Sequence, residues 1–260
     1  MKKILIVKPS SLGDIIHVFP ALEILRRHEP DFIVDFLVHP AFADILDYSP
    51  VPVRRRILFE RKKLGKLKTF FPVFFRLFAE LRQEKYDLVI DFQGLLRSGL
   101  FAFLARRSAP VAGFAHPRED GARYFYGKKI DVSNQMHAVE RNVALVNALL
   151  GTSDPVPEDY LGHPAAEAPY PAVPGKKLIG MIPGARWASK QFPERLFAGV
   201  ITESRKRCPG EVIFRIIGSQ NELDSQMRIL ELAGDTGDIQ PLAGKTSMAG
   251  MMEALRPCDA

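Results

Sequence analysis

Residues 4–25 constrain this chain more than any other stretch. Residues 4–7 are Ile-Leu-Ile-Val, a short unbroken apolar run rich in β-branched side chains, the pattern of a strand buried on both faces. Pro9, Ser10, Ser11 and Gly13 then supply turn formers. From Asp14 onward, Ile15, Ile16, Phe19, Leu22 and Leu25 recur at helical spacing. A buried strand, a small-residue turn and a helix open a doubly wound α/β domain, whose ligands sit beyond the carboxyl ends of the strands. Asp14 therefore stands at a helix start, on the edge where chemistry is done. The same position suits a plain helix cap, because Asp accepts backbone N–H bonds there and complements the dipole. The turn lacks the Gly-Lys-Ser/Thr ending of a P-loop and the spacing of a dinucleotide fingerprint.

The pattern then repeats. Residues 31–38, 87–91 and 111–114 read as further strands, with helices over 95–107 and from the stretch 136–142 to Gly151. Between 152 and 175 the chain changes character: Pro155, Pro157, Pro164, Pro169, Pro171 and Pro174 interrupt it and no apolar periodicity survives. That composition marks a linker or surface crossover. It divides a first domain, residues 1–151, from a second, residues 176–260. The second repeats the design: a strand over 177–182, a helix over 194–207 and a strand over 211–218.

Charge is unevenly placed. The net charge is +6, yet residues 54–68 alone hold eight basic side chains against Glu60. So local a cluster argues against a protein that coats nucleic acid along its length, and suits either one anionic partner or a solvated loop. An aromatic run follows over 69–81. Phe74, Leu77, Phe78 and Leu81 share one helical face, which favours a core-facing helix. Phe70, Phe71 and Phe75, beside the cations, would alternatively dip into an anionic membrane surface. Only Cys208 and Cys258 occur, far apart, which is neither a disulfide framework nor a metal motif and fits a reducing cytosol. Lys8 interrupts the opening apolar run too early for a signal peptide, and no apolar stretch is long enough to span a bilayer.

The string from Lys8 through Ser10, Ser11, Gly13 and Asp14 to His17, then Phe19-Pro-Ala-Leu22, resembles the N-terminal motif of the lipopolysaccharide heptosyltransferases, glycosyltransferase family 9. Asp91-Phe-Gln-Gly94, the stretches 115–126 and 136–142, Pro183-Gly184 with Trp187, Lys190, Phe192 and Pro193, and residues 245–256 resemble the family as well. Within it, the wording is nearest to the enzymes that add the first heptose. The resemblance implies a GT-B fold, two Rossmann-like doubly wound domains facing across a cleft, the second incomplete. It implies that Asp14 is the catalytic base. Ser11, Gly13, Ala185, Arg186, Lys190, Glu222, Thr246 and Met248 are then candidates for the donor. Ser10, Arg56, Arg61, Lys62, Lys63, Gln93, Arg97, Arg118 and His137 are candidates for the acceptor. The family's Asp-Ser/Thr-Gly-x-x-His donor segment has no counterpart in these residues.

The donor so implied is ADP-L-glycero-D-manno-heptose, and the acceptor is Kdo-lipid A at the cytoplasmic face of the inner membrane. No cofactor and no essential metal are expected, and no nucleic acid. ADP is already a good leaving group that needs positive charge more than a proton. One carboxylate then suffices to deprotonate the acceptor hydroxyl in a single inverting displacement. Two other readings stay open. One is a family 9 transferase with another acceptor or heptose position. The other is a nucleotide- or lipid-binding fragment without catalysis.

Overall fold

The computed structural model describes residues 2–162, 170–185, 191–234 and 236–260, with Lys62 and Leu67 described in their backbone alone. The chain divides into two compact units, Met1–Pro164 and Ala165–Ala260.

Unit 1 holds strands β1 (Lys2–Val7), β2 (Phe32–Val38), β3 (Val53–Leu58), β4 (Leu88–Asp91), β5 (Val111–Phe114) and β6 (Lys128–Ile130). They form one parallel six-stranded sheet in the order β3-β2-β1-β4-β5-β6. Its helices are α1 (Leu12–Ile16), α2 (Phe19–His28), α3 (Arg61–Leu64), α4 (Leu67–Leu81), α5 (Leu96–Ala105) and α6 (Ala138–Leu150). Both faces of such a sheet are covered, which is why its central strands read as unbroken apolar runs. Leu5 and Val7 face a core shared with Leu77, Leu81, Phe101 and Ala102, from α4 and α5. By the alternation of a strand, the equally buried Ile4 and Ile6 face the other way. Leu77 and Leu81 hold α4 to the core, Phe74 and Phe78 are half-buried, and Phe71 and Phe75 are exposed. From β1 the chain winds outward to β3, then returns to place β4 on the other side of β1. That reversal opens a crevice at the carboxyl ends of β1 and β4.

In unit 1 two strands escape the sequence pattern, both at sheet edges and both charged. β3 carries Arg54, Arg55 and Arg56, so the basic segment is a strand for its first part and not one continuous loop. Its cations are matched by acids distant in sequence. Asp35, buried in β2, accepts Arg54 Nε at 3.0 Å and Nη2 at 2.7 Å, Arg55 Nη1 at 3.5 Å and the Tyr86 hydroxyl at 2.8 Å. Arg56 pairs with Asp47. β6 has two lysines in three residues, a composition common on edge strands because it discourages further pairing.

Unit 2 holds β7 (Lys177–Met181), β8 (Val212–Ile216) and β9 (Ile239–Pro241), parallel and in that order, with helices α7 (Glu194–Arg207), α8 (Leu223–Ala233) and α9 (Met248–Leu255). Ile201, Phe214, Ile216 and Ile229 form its core. On the other edge of β7, Asp259 N donates to Leu178 O at 2.8 Å and Gly180 N to Ala260 O at 2.7 Å. Residues 259–260 therefore occupy the place of a further strand, giving this unit the same reversal as the first.

The proline-rich stretch is not free chain where it is described. Thr152 Oγ1 donates to Asn147 Oδ1 at 2.8 Å, Asp154 meets His28 Nε2 at 2.8 Å, and Gly162 N donates to Tyr48 O at 2.8 Å. Residues 152–162 thus lie along unit 1, where backbone groups that no strand or helix serves find partners.

Candidate active site

The crevice at the reversal point of unit 1 is a cleft of about 320 Å³. α1 begins immediately beyond β1, with Ser11 as its N-cap and Asp14 in its first turn. Asp14 Oδ2 accepts the Ser11 N–H at 3.0 Å and the Ser11 hydroxyl at 2.9 Å. Asp14 therefore serves as a helix cap and lines the cleft as well. Burial pushes its carboxyl upward, but the Ser11 N–H, the Lys8 cation, the Ser11 hydroxyl and His17 together hold it below its ordinary value. It is ionised at neutral pH.

The rest of the cleft is built by elements distant in sequence. Phe92, Gln93 and Gly94 follow β4, Pro117 and Arg118 follow β5, and Arg141 and Asn142 come from the first turns of α6. Asn142 Nδ2 donates to His17 O at 2.8 Å, fastening α6 to the end of α1. Arg141 lies over the Phe114 ring at 4.2 Å and donates from Nη2 to His116 O at 2.6 Å. Its buried Nε and the buried His17 Nδ1 have no partner among the described residues. Burial holds His17 below its ordinary value, against the pull of Asp14. Among the lining residues Lys8, Arg118 and Arg141 stand against one acid, Asp14, so the cleft has surplus positive charge and suits an anionic ligand.

Beneath the cleft, Asp91 is fully buried at the end of β4. It accepts the Tyr126 hydroxyl at 2.7 Å, the Ser98 hydroxyl at 2.8 Å, Gln93 N at 2.8 Å and Gly94 N at 3.3 Å. Those bonds fix the turn that presents Gln93. Gly94 has φ of 66°, and a Cβ there would lie 3.1 Å from Arg118 N, so the turn and its close neighbour both require glycine.

Ser10, Arg61, Gln93 and Arg97 line a second, smaller cavity of about 120 Å³ floored by Leu37, Phe59 and Phe101. Gln93 touches both cavities. Arg118 lines the larger one, and the His137 ring lies 5.5 Å from that of His17. Arg56, bound by Asp47, lines neither, and Lys63 pairs with Glu60. The Lys62 side chain lies outside the described residues, as do Arg186 and Lys190. Ser11 is engaged by Asp14, and Gly13 N–C=O belongs to α1, its carbonyl accepting His17 N at 2.9 Å.

In unit 2, a cleft of about 260 Å³ opens beyond β7 and β8, lined by Pro183, Gly184, Pro193, Glu194, Asn221 and Glu222 among others. Ser219 N donates to Glu222 Oε2 at 2.6 Å, and the Ser219 hydroxyl bonds the same oxygen. A Cβ at Gly184 would come within 2.5 Å of the Glu222 side chain, so a larger residue there would displace that carboxylate from its present place. Ala185 lies at the rim of that turn, its carbonyl accepting Gln191 Nε2 at 2.8 Å. Thr246 precedes the Ser247 cap of α9 and Met248 begins the helix, and neither lines this cleft.

The geometry so described coincides with a known family. The profile of glycosyltransferase family 9 (heptosyltransferase) matches residues 74–260. The chain belongs to glycosyltransferase family 9. Lipopolysaccharide heptosyltransferase 1 of Pseudomonas aeruginosa is 35% identical over 206 residues, covering 74% of this chain and 55% of that protein. The protein of the same name from Escherichia coli K12 is 34% identical over 163 residues, 59% of this chain and 49% of that protein. The chain thus spans about half the length of the curated relatives it matches. The structure of E. coli heptosyltransferase WaaC with ADP-2-deoxy-2-fluoro heptose matches with a TM-score of 0.80 at 26% identity, over 98% of this chain and 80% of that one. That of E. coli heptosyltransferase II matches in fold, with a TM-score of 0.78 over 99% of this chain and 77% of that one. The α/β fold is of the GT-B type of these heptosyltransferases, built from two Rossmann-like units.

In this family 9 chain, Lys8, His17, Arg141 and Asn142 of the larger cleft lie within stretches that resemble the family, yet sequence reasoning assigned none of them a role in the site. Lys8 reads as the first residue of a turn, and the other three meet only through the docking of α6. A lysine directly after a buried parallel strand, at the edge where ligands gather, is the one further clue the sequence offers.

Proposed function

We propose that the protein transfers a heptose from ADP-heptose to a hydroxyl of Kdo-lipid A, with inversion at the anomeric carbon. The observation that carries this reading is an ionised carboxylate, Asp14, in a cation-rich cleft at the reversal point of unit 1, in a family 9 chain. The surplus charge supports an acceptor bearing carboxylates and phosphates. The unit 2 cleft, with Glu222 in the turn between β8 and α8, supports a nucleotide there, because a carboxylate beyond the carboxyl end of a strand suits a ribose diol. Asp14 takes the acceptor proton late, as attack on the anomeric carbon acidifies the hydroxyl, while ADP departs with the bonding electrons. The diphosphate needs positive charge, which protein cations and helix N-termini supply, so no metal ion is required. Transfer is therefore expected to proceed undiminished in excess EDTA, measured by mass spectrometry of the lipid product. Loss of turnover that Mg²⁺ restores would refute the metal-free mechanism. Transfer only to another acceptor would keep the family and reject Kdo-lipid A.

Among the described residues no helix is long and apolar enough to cross a membrane. The reading instead brings the protein to an anionic bilayer surface through α4. Phe71 and Phe75 are 60% and 61% exposed there, beside exposed Arg61, Lys66 and Lys68. In vesicle sedimentation, Phe71→Asp with Phe75→Asp should reduce binding to anionic vesicles by about tenfold or more, on the order of the apolar area withdrawn from the bilayer. Equal sedimentation of the variant and the parent would exclude α4 as the docking element.

A further inference from the structure

An ammonium loses its hydration inside a protein, and lysine is among the side chains least often found there. Lys8 is nonetheless only 8% exposed. It directly follows β1, and its Nζ donates to the carbonyl of Phe92, directly after β4, at 3.0 Å. A second bond runs along the same seam, from Ser10 N to Gln93 Oε1 at 3.3 Å. The loop that carries Asp14 is thus tied to the loop after β4 across the point where the strand order reverses. Lys8 also lines the cleft that Asp14 lines. A bond to one backbone carbonyl would not by itself offset burial of the charge, so the carboxylates around it matter.

We propose that Lys8 is a positioning residue for the transfer: its ammonium fastens the loop of the base to the loop after β4 and sets a fixed positive charge in the cleft that Asp14 lines. The proposal rests on the reading of Asp14 as the base. The charged and titratable groups around the pair are Asp14 and His17 from α1, Asp91 from β4, Arg118 from the loop after β5, and His137 and Arg141 at the start of α6. Burial presses Lys8 below its ordinary value, Asp14 and Asp91 raise it, and Arg118 and Arg141 lower it further. On Asp14 the effective cation is Lys8, with a smaller contribution from His17. Neither arginine takes that place: Arg118 is exposed, and Arg141 is spent on Phe114 and His116.

The sign follows. Removing the Lys8 charge raises the pKa of Asp14, so the base is protonated at higher pH and the acid limb of the rate profile moves upward. The test compares Lys8→Met, Lys8→Gln and Lys8→Arg by NMR titration of the Asp14 carboxyl in this chain, assigned with Asp14→Asn, and by the pH profile of kcat/KM for transfer. Lys8→Met and Lys8→Gln should move the Asp14 midpoint up by about one pH unit, and Lys8→Arg by less than about half of that. kcat should fall by about tenfold or more in the first two while the donor KM stays within about twofold. Lys8→Gln can keep a donor to Phe92 O without the charge, so it carries the result if Lys8→Met does not fold. A midpoint unmoved in the uncharged variants, whatever their stability, overturns the proposal. The titration decides this even if the parent transfers no heptose, an outcome that would defeat the functional reading instead.

Discussion

Asp14→Asn is expected to lower kcat for heptose transfer by about 10³-fold while leaving the KM values for donor and acceptor within about twofold. The substitution is informative because Asp14 has two roles that it separates. As part of the α1 cap, the side chain accepts from the Ser11 N–H and hydroxyl, which an amide oxygen can still do. The stability change should accordingly stay within about 1 kcal/mol. As a base, Asp14 must hold a negative charge and take up a proton, which the amide cannot. A variant that melts like the parent yet transfers about 10³-fold more slowly identifies the base; equal rates would leave only the cap. The pH dependence has a matching sign. Because the folded-state carboxyl lies below its ordinary value, the capping stabilisation is present above the unfolded pKa and is lost as pH falls through the folded one. The acid limb of transfer should therefore lie below the ordinary carboxylate range.

Asp91→Ala should cost about 3–5 kcal/mol of unfolding free energy. The carboxylate is fully buried and receives two hydroxyls and two backbone N–H groups. Its removal strands the Tyr126 hydroxyl and both backbone N–H groups, while the Ser98 hydroxyl keeps Leu95 O at 2.8 Å, and it unties the turn that carries Gln93 and Gly94. In urea denaturation the midpoint should drop with the slope unchanged. Asp91→Asn, which keeps the shape but sets an amide donor against donors, should fall between the two. A loss below about 1 kcal/mol in Asp91→Ala would mean that water replaces the carboxylate, and that the network is not what fixes the turn.

The central strands of unit 1 were legible in the sequence because burial on two faces leaves no polar alternation to obscure them; residues 4–7 illustrate this. The edges were not. Arg54, Arg55 and Arg56 read as charge for an anionic partner or for solvent, because their partners Asp35 and Asp47 are remote in sequence and a local charge count cannot see them. The reading of a single basic patch overstated the free positive charge for the same reason. Asp14 was legible because strand, turn and helix are contiguous. The cleft around it was not, because Arg141 and Asn142 reach it only when α6 packs against α2 and places Asn142 on His17 O. Lys8 was marked only by its place directly after a buried strand, because its residue type points to a surface turn and its burial depends on the loop after β4.

The most direct measurement is the anomeric configuration of the new linkage, read by NMR on the product of ADP-heptose and Kdo-lipid A. A single displacement driven by one base predicts one heptose added with inverted configuration relative to the donor. Retention, or release of free heptose with no transfer to the acceptor, would contradict the account.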